Sequence, residues 1–273
     1  MESTVNSFRM LGPLEVLSGA PQHWKPVEVP KVRILLVVLL AARGRVVSLE
    51  RLVHELWFDG GQEAKDHRNL LHQYVMRLRR QLGDRRRTVL VTQSPGYRLL
   101  LEPEQLDVSR FDELCARGQD LFAAGRYDRA VAVFGEALAL WRGAPLEDVP
   151  PSPSVVAEAE RLREARLAAA EMCVDASHRT GEYAATLAEL RALRDDHPLR
   201  EGLWEKEMTA LHACGRRAEA LELYQLARRT FRTELGLEPG ASLRTLQRRI
   251  LEGGQVHRPS ERTRQGTLDV VSD

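Results

Sequence analysis

Lysine is nearly missing from this chain: Lys25, Lys31, Lys65 and Lys206 stand against 36 arginines. None of the four follows a glycine, which excludes the glycine-rich phosphate loop ending in Gly-Lys-Ser/Thr. Cysteine is equally sparse. Cys115, Cys173 and Cys214 are odd in number and far apart, a pattern that gives neither a disulfide framework nor metal-ligand spacing and fits a reducing cytoplasm. No Gly-x-Ser-x-Gly or His-Glu-x-x-His occurs, and the eight histidines are scattered. No enzyme activity, metal or cofactor is therefore expected. The longest apolar run, Ile34 to Ala42 between Arg33 and Arg43, is too short to span a bilayer, and the first residues lack a secretory pattern. No membrane association is expected.

What is present is charge, unevenly placed. The 273 residues carry a formal net charge of only +1, yet Lys65 to Arg98 holds nine basic residues against Asp66 and Asp84. That segment is +7 and the remainder −6, the electrostatic footprint of a surface for a polyanion. Within it, His67 to Gly83 has helical periodicity. At 100° per residue Leu71, Val75, Leu78 and Leu82 share one narrow face. Asn69, Gln73, Met76 and Arg80 lie opposite, flanked by His72 and Arg79 on one side and Arg77 on the other. These side chains include types that pair with base edges and phosphates, and Met76 could touch a thymine methyl. A solvated amphipathic face would have the same pattern, so its surroundings decide.

Those surroundings form an ordered series. Ser7–Leu11, Leu14–Leu17 and Val27–Val29 are read as three short strands separated by Gly12-Pro13 and Ser18–Pro21. An almost wholly apolar helix, Lys31 to Arg43, follows and ends at Gly44. Ser48 is placed as the N-cap of a second helix burying Leu49, Leu52, Val53, Leu56 and Trp57. The basic helix begins near Ala64. Asp84–Arg87 is too polar for burial, and within it Arg85-Arg86-Arg87 reads as DNA backbone contact rather than a merely solvated turn, ahead of a β-hairpin, Thr88–Thr92 and Tyr97–Leu101 around Gln93–Gly96. Three helices, the last of them reading DNA, followed by a hairpin make a winged helix.

The segments GPLEV, PKVRILLVVLLAARGRVVSLERLVHELW, RNLLHQYVMRLRRQLG and PGYRL resemble the OmpR-type winged helix, and more narrowly that of the Streptomyces antibiotic regulatory protein (SARP) activators. The resemblance implies that the third helix enters the major groove, the wing reaches toward the minor groove, and the loop before the third helix faces RNA polymerase. Carried onto this chain, Arg68, Asn69, His72, Gln73 and Met76 would meet bases or adjacent backbone. Arg77 and Arg80 would meet phosphates, as Arg87 of the run before the wing is read to do, and the wing would present Gln93, Ser94 and Arg98. Asp59, Gly60, Gln62, Glu63 and Lys65 would form the polymerase-facing loop. His72 and Met76 depart from the residues many members carry, so the operator is not transferable.

From Asp107 the composition turns to long helices rich in Ala, Leu, Arg and Glu. Ser109 and Glu113 suit the start of a helix running to Ala124; Tyr127–Trp141 is the next, and Ser154–Arg179 a long one. Gly125, Gly181 and Gly215 each separate two apolar-periodic helices, the last two 34 residues apart. With Ala130 and Ala137 at close approaches, the pattern is tetratricopeptide-like. Tyr127, Tyr183 and Tyr224 are read as inter-helix packing. ALALWRGAPLEDV, and the stretch from DDHPLREGLW to ELGLEPG with the helix after it, resemble the bacterial transcriptional activator domain of the same family.

The expected architecture is mainly α. It comprises a winged-helix domain with a small β meander and wing (1–104), an all-α tetratricopeptide-like domain (105–252) and a disordered tail (253–273). The resemblance implies a cytoplasmic, sequence-specific activator of a secondary-metabolite (antibiotic) gene cluster. Its partners would be double-stranded promoter DNA with direct repeats, RNA polymerase holoenzyme (the sigma factor and other subunits) and a second protomer on DNA. A ligand-sensing regulator and a helical-repeat protein-interaction module remain open as alternatives.

Overall fold

The structure, a computed structural model, describes residues 7–18, 23–58, 60 and 64–253; most of the expected tail, from 254 on, lies outside them. β1 (Ser7–Arg9), β2 (Glu15–Ser18) and β3 (His23–Pro26) form an antiparallel meander in that order, with Phe8 opposite Val16 and Leu17 opposite Trp24. The third strand thus precedes the Val27–Val29 segment expected to form it. Val27 is instead fully buried, and Val29, extended, is the N-cap of α1 (Pro30–Ala41). Proline at the first helical position has its φ pre-set and needs no N–H, so the residues before it serve the helix entry. Val32 and every residue from Ile34 to Leu40 of α1 are at most 2% exposed, as an all-round apolar helix requires.

β4 (Val47–Ser48) leads into α2 (Leu49–Leu56), and the Ser48 hydroxyl accepts the Arg51 N–H at 3.2 Å, the expected N-cap. The buried face of α2 is narrower than expected: Leu52 and Leu56 are enclosed, Leu49, Val53 and Trp57 only half so, and Glu55 is buried among them. α3 (Ala64–Gln81) is followed by β5 (Leu90–Gln93) and β6 (Gly96–Leu99), which join β4 in a sheet ordered β4-β6-β5. Only glycine fits at position 96, because a Cβ there would stand 1.9 Å from the Val47 carbonyl oxygen and separate β4 from β6.

The helical half comprises α4 (Asp107–Ala123), α5 (Tyr127–Leu138), α6 (Pro153–Thr180), α7 (Tyr183–Asp196), α8 (Glu201–Ala213), α9 (Arg217–Leu235) and α10 (Ala241–Leu251). α4 starts two residues before Ser109, and α5 ends three residues before Trp141. The expected glycine turns fall between α4 and α5, α6 and α7, and α8 and α9. Ala130, Ala137, Ala220 and Ala227 are fully buried. No helix among the described residues is long and apolar enough to cross a membrane.

By contacts the chain divides into two compact units, residues 1–124 with 132–170, and residues 125–131 with 171–273. This division does not follow the change of composition near residue 105. In the first unit the β1–β2 turn is bonded to the helical half. Asp107 accepts the N–H groups of Met10 and Leu11 at 2.9 and 3.0 Å, and Asp148 that of Leu14 at 2.7 Å. The N–H groups of Arg142 and Leu146 donate to the carbonyls of Leu11 and Gly12. Gly12, at φ +144°, passes so close to Arg142 that a Cβ would lie 3.1 Å from the arginine Cβ. Glu55 accepts the Ser152 hydroxyl at 2.7 Å and the Ser154 N–H at 2.9 Å at the start of α6. The second unit packs Trp204, Met208, Leu223, Phe231, Leu243, Leu246 and Ile250 into one core. Beside Trp204 lies a buried ion pair, Arg194 to Glu207 at 2.7 Å.

Two outcomes are expected. Asp107→Ala leaves the Met10 and Leu11 N–H groups without their acceptor and should lower unfolding free energy by about 1–3 kcal/mol, read from urea titrations at neutral pH. Burial acts to raise the Glu55 pKa, but the hydrogen bonds from Ser154 and Ser152 and the charge of Arg51 outweigh it, leaving it below its ordinary value. A depressed folded pKa contributes stability that is present above the ordinary carboxylate pKa and lost as pH falls through the folded value. Glu55→Gln should therefore flatten the acid side of the stability–pH curve, and an unchanged slope would exclude this role.

Candidate nucleic-acid interface

The site is built on α3. Leu71, Val75 and Leu78, with Leu82 just past the helix end, are at most 1% exposed. Burying that stripe turns the opposite side outward: Arg68, Asn69, His72, Gln73, Met76, Arg77 and Arg80 are all exposed. Met76, at 49%, is an apolar side chain held in solvent among polar ones. The entry to the helix is braced by His67, which stacks on Trp57 with ring centroids 4.4 Å apart.

Arg79 is the exception to the expected outward face. It is 7% exposed; its Nε and Nη2 donate to the Leu90 carbonyl at 3.1 and 2.9 Å, and Nη2 also reaches the Thr92 hydroxyl at 3.0 Å. The guanidinium lies 5.8 Å from the Tyr97 ring centroid. This arginine ties α3 to the wing. Its place was visible as a spacing, four residues after Val75 and three before Leu82, which sets it at the margin of the apolar stripe. Its charge argued the other way. Asp84 corrects the reading of the next segment: it is buried, accepting the N–H groups of Thr88 at 2.7 Å and Leu90 at 2.8 Å. The carboxylate folds the chain into β5 and leaves Arg85, Arg86 and Arg87 exposed, Arg87 with φ +57°.

At the hairpin tip Gln93 and Ser94 are exposed, whereas Arg98 is half-buried on the central strand with Nε enclosed and unpaired. The Pro95 carbonyl accepts the Leu49 N–H at 3.1 Å, fixing the tip to the start of α2. Between α2, α3 and the wing lies a cleft of about 510 Å³ with Arg68, His72, Ser94 and Tyr97 in its walls. His72 sits edge-on to Tyr97 at 6.4 Å. Burial raises the Tyr97 hydroxyl above its ordinary pKa against the opposing charges of Arg79 and Arg87. Of the residues expected to face polymerase, Gly60 is exposed. Asp59, Gln62 and Glu63 lie outside the described residues, as does the Lys65 side chain.

The arrangement is a convex helix face carrying adjacent hydrogen-bonding and basic side chains, with a two-stranded ribbon beside it. A helix of this width fits the major groove of B-form DNA, about 12 Å across. Among the described residues no group of three His, Cys, Asp or Glu side chains could hold a metal.

Comparison with known proteins covers the same two regions. Residues 29–99 match the family described as transcriptional regulatory protein, C terminal, and residues 106–251 match the bacterial transcriptional activator domain. The regulatory protein DnrI of Streptomyces peucetius is 36% identical over 252 residues, covering 89% of this chain and 91% of its own length. The regulatory protein AfsR of Streptomyces griseus is 34% identical, with 93% of this chain matching 25% of that protein. A solved structure of Mycobacterium tuberculosis EmbR, in complex with a low-affinity phosphopeptide, shares the fold at a TM-score of 0.85 and 33% identity. The match covers 93% of this chain and 67% of that one. With a winged helix and an activator domain matched in the same order, and a relative similar over nearly its whole length, this chain belongs to the Streptomyces antibiotic regulatory protein family of transcriptional regulators.

Proposed function

We propose that the chain is a sequence-specific DNA-binding activator that reads direct repeats at the promoters of a secondary-metabolite gene cluster. The observation that carries this is the outward row of α3, Asn69, Gln73, Met76 and Arg80, directly opposite a fully buried stripe and beside a wing held by Arg79. Arg77, Arg80 and Arg87 neutralise phosphates and supply most of the affinity. Asn69, Gln73 and His72 hydrogen-bond base edges, Met76 offers apolar contact to a thymine methyl, and Arg68 with Ser94 and Gln93 grips the backbone beside the wing. Two protomers on adjacent repeats and a polymerase-facing loop between α2 and α3 complete the scheme, in the cytoplasm. This last part rests on the family alone.

The test is fluorescence anisotropy with the promoters nearest the gene against random duplex, at several salt concentrations. Selective binding that falls steeply with salt is expected; equal, weak binding to both duplexes would overturn the reading. Two variants separate the roles on α3. Arg80→Ala should weaken binding to every duplex alike and reduce the salt slope by about one counterion, that of the phosphate it neutralises. Gln73→Ala should leave that slope unchanged and relax discrimination at one base pair by about 1–3 kcal/mol. Equal losses on specific and random DNA from both variants would contradict this division.

A further inference from the structure

The glycine turns of the helical array carry arginines with unequal fates. At the third turn, Arg216 is paired with Glu219 at 2.7 Å, and Arg217 donates to the Leu251 carbonyl at 2.6 Å. At the first and second turns, Arg126, Arg129 and Arg179 are exposed, and none of them makes an ion pair or side-chain hydrogen bond to a described residue. These three line one cleft of about 590 Å³ in the second unit, together with Tyr127, Asp128 and Thr180. Asp128 is the single carboxylate in its wall, so the lining is cationic on balance.

Like charges held in one concave site repel each other, and low-dielectric walls strengthen the potential they share. An anion placed among them relieves that repulsion. Guanidinium groups offer paired donors in a plane that matches phosphate oxygens. The first turn of α5, whose leading N–H groups have no partner within the helix, opens at the same place and adds positive potential. Three guanidinium groups drawn from two turns can share two or three linked phosphates, and the cleft volume falls within the range of small-molecule sites. We propose that this cleft binds a small molecule carrying a di- or triphosphate group, free or attached to a nucleoside. Its residues belong to the second compact unit and α3 to the first, and the proposal stands whether or not the DNA proposal does.

The experiment is calorimetric titration of the full chain with inorganic pyrophosphate, ADP and ATP at fixed ionic strength, alongside Arg126→Gln/Arg179→Gln, Arg216→Gln and Arg80→Ala. Binding to the wild-type chain is expected, weakened roughly tenfold or more per arginine removed in the cleft. Arg216→Gln, on the equivalent but already paired turn, should bind as wild type. Thermal unfolding without ligand checks that the double variant folds, and promoter DNA titration should give it wild-type affinity. ADP binding more tightly than pyrophosphate assigns the ligand a nucleoside; equal binding assigns the phosphates alone. No binding at millimolar concentration, or binding that the double variant retains in full, overturns the proposal. So does binding abolished by Arg80→Ala, which would place the polyphosphate on the DNA-reading surface.

Discussion

Backbone N–H groups around the β1–β2 turn find no strand partners, and that deficit governs how the first compact unit is assembled. Met10, Leu11 and Leu14 are buried, so their N–H groups must be satisfied inside the protein or cost stability. Their acceptors are the carboxylates of Asp107 and Asp148, about a hundred residues or more away in sequence. Arg142 and Arg33 offset the charge brought in with them, Arg142 lying 3.8 Å from Asp107 and Arg33 3.6 Å from Asp148. The meander is therefore incomplete without α4 and the segment after α5. A winged helix here is not a bead on a string but one part of a larger unit.

The same device, a charged side chain bonded to backbone groups, recurs where other elements are aimed. Asp84 closes the turn after α3, Arg79 holds the start of the wing, and Glu55 caps the start of α6. Each fixes direction as well as contributing stability, because a carboxylate or guanidinium satisfied by two or three hydrogen bonds tolerates little displacement. The outward row of α3 and the tip of the wing are separate in sequence, and the Arg79–Leu90–Thr92 bonds fix their spacing.

The helical array follows a different logic. Fully buried alanines let the helices approach, and the core around Trp204 closes the final repeat. With the interior settled by small and apolar residues, the turns are free to vary in charge. Arg216 is paired with Glu219 and Arg217 is bonded to the Leu251 carbonyl, while Arg126, Arg129 and Arg179 have no such partner among the described residues. Tyr127, which the repeat pattern reads as packing, belongs to the wall of that cleft; Tyr224, read the same way, is buried in the core.

The sequence by itself determined the helices, the hairpin, the buried stripe of α3 and the identity of its outward row. Each is a local pattern whose period or turn chemistry is complete within a dozen residues. Gly96 and Ser48 could likewise be placed from local signals. What only the tertiary structure decided is the fate of the charged residues. Arg79, Asp84 and Glu55 are buried, although charge ordinarily predicts exposure, because each meets partners that periodicity does not reveal. The third strand moved to His23–Pro26 because the entry to α1 claimed the residues that resembled a strand. The grouping of α4 with the winged helix rests on hydrogen bonds between residues about a hundred apart, and no local period carries that information.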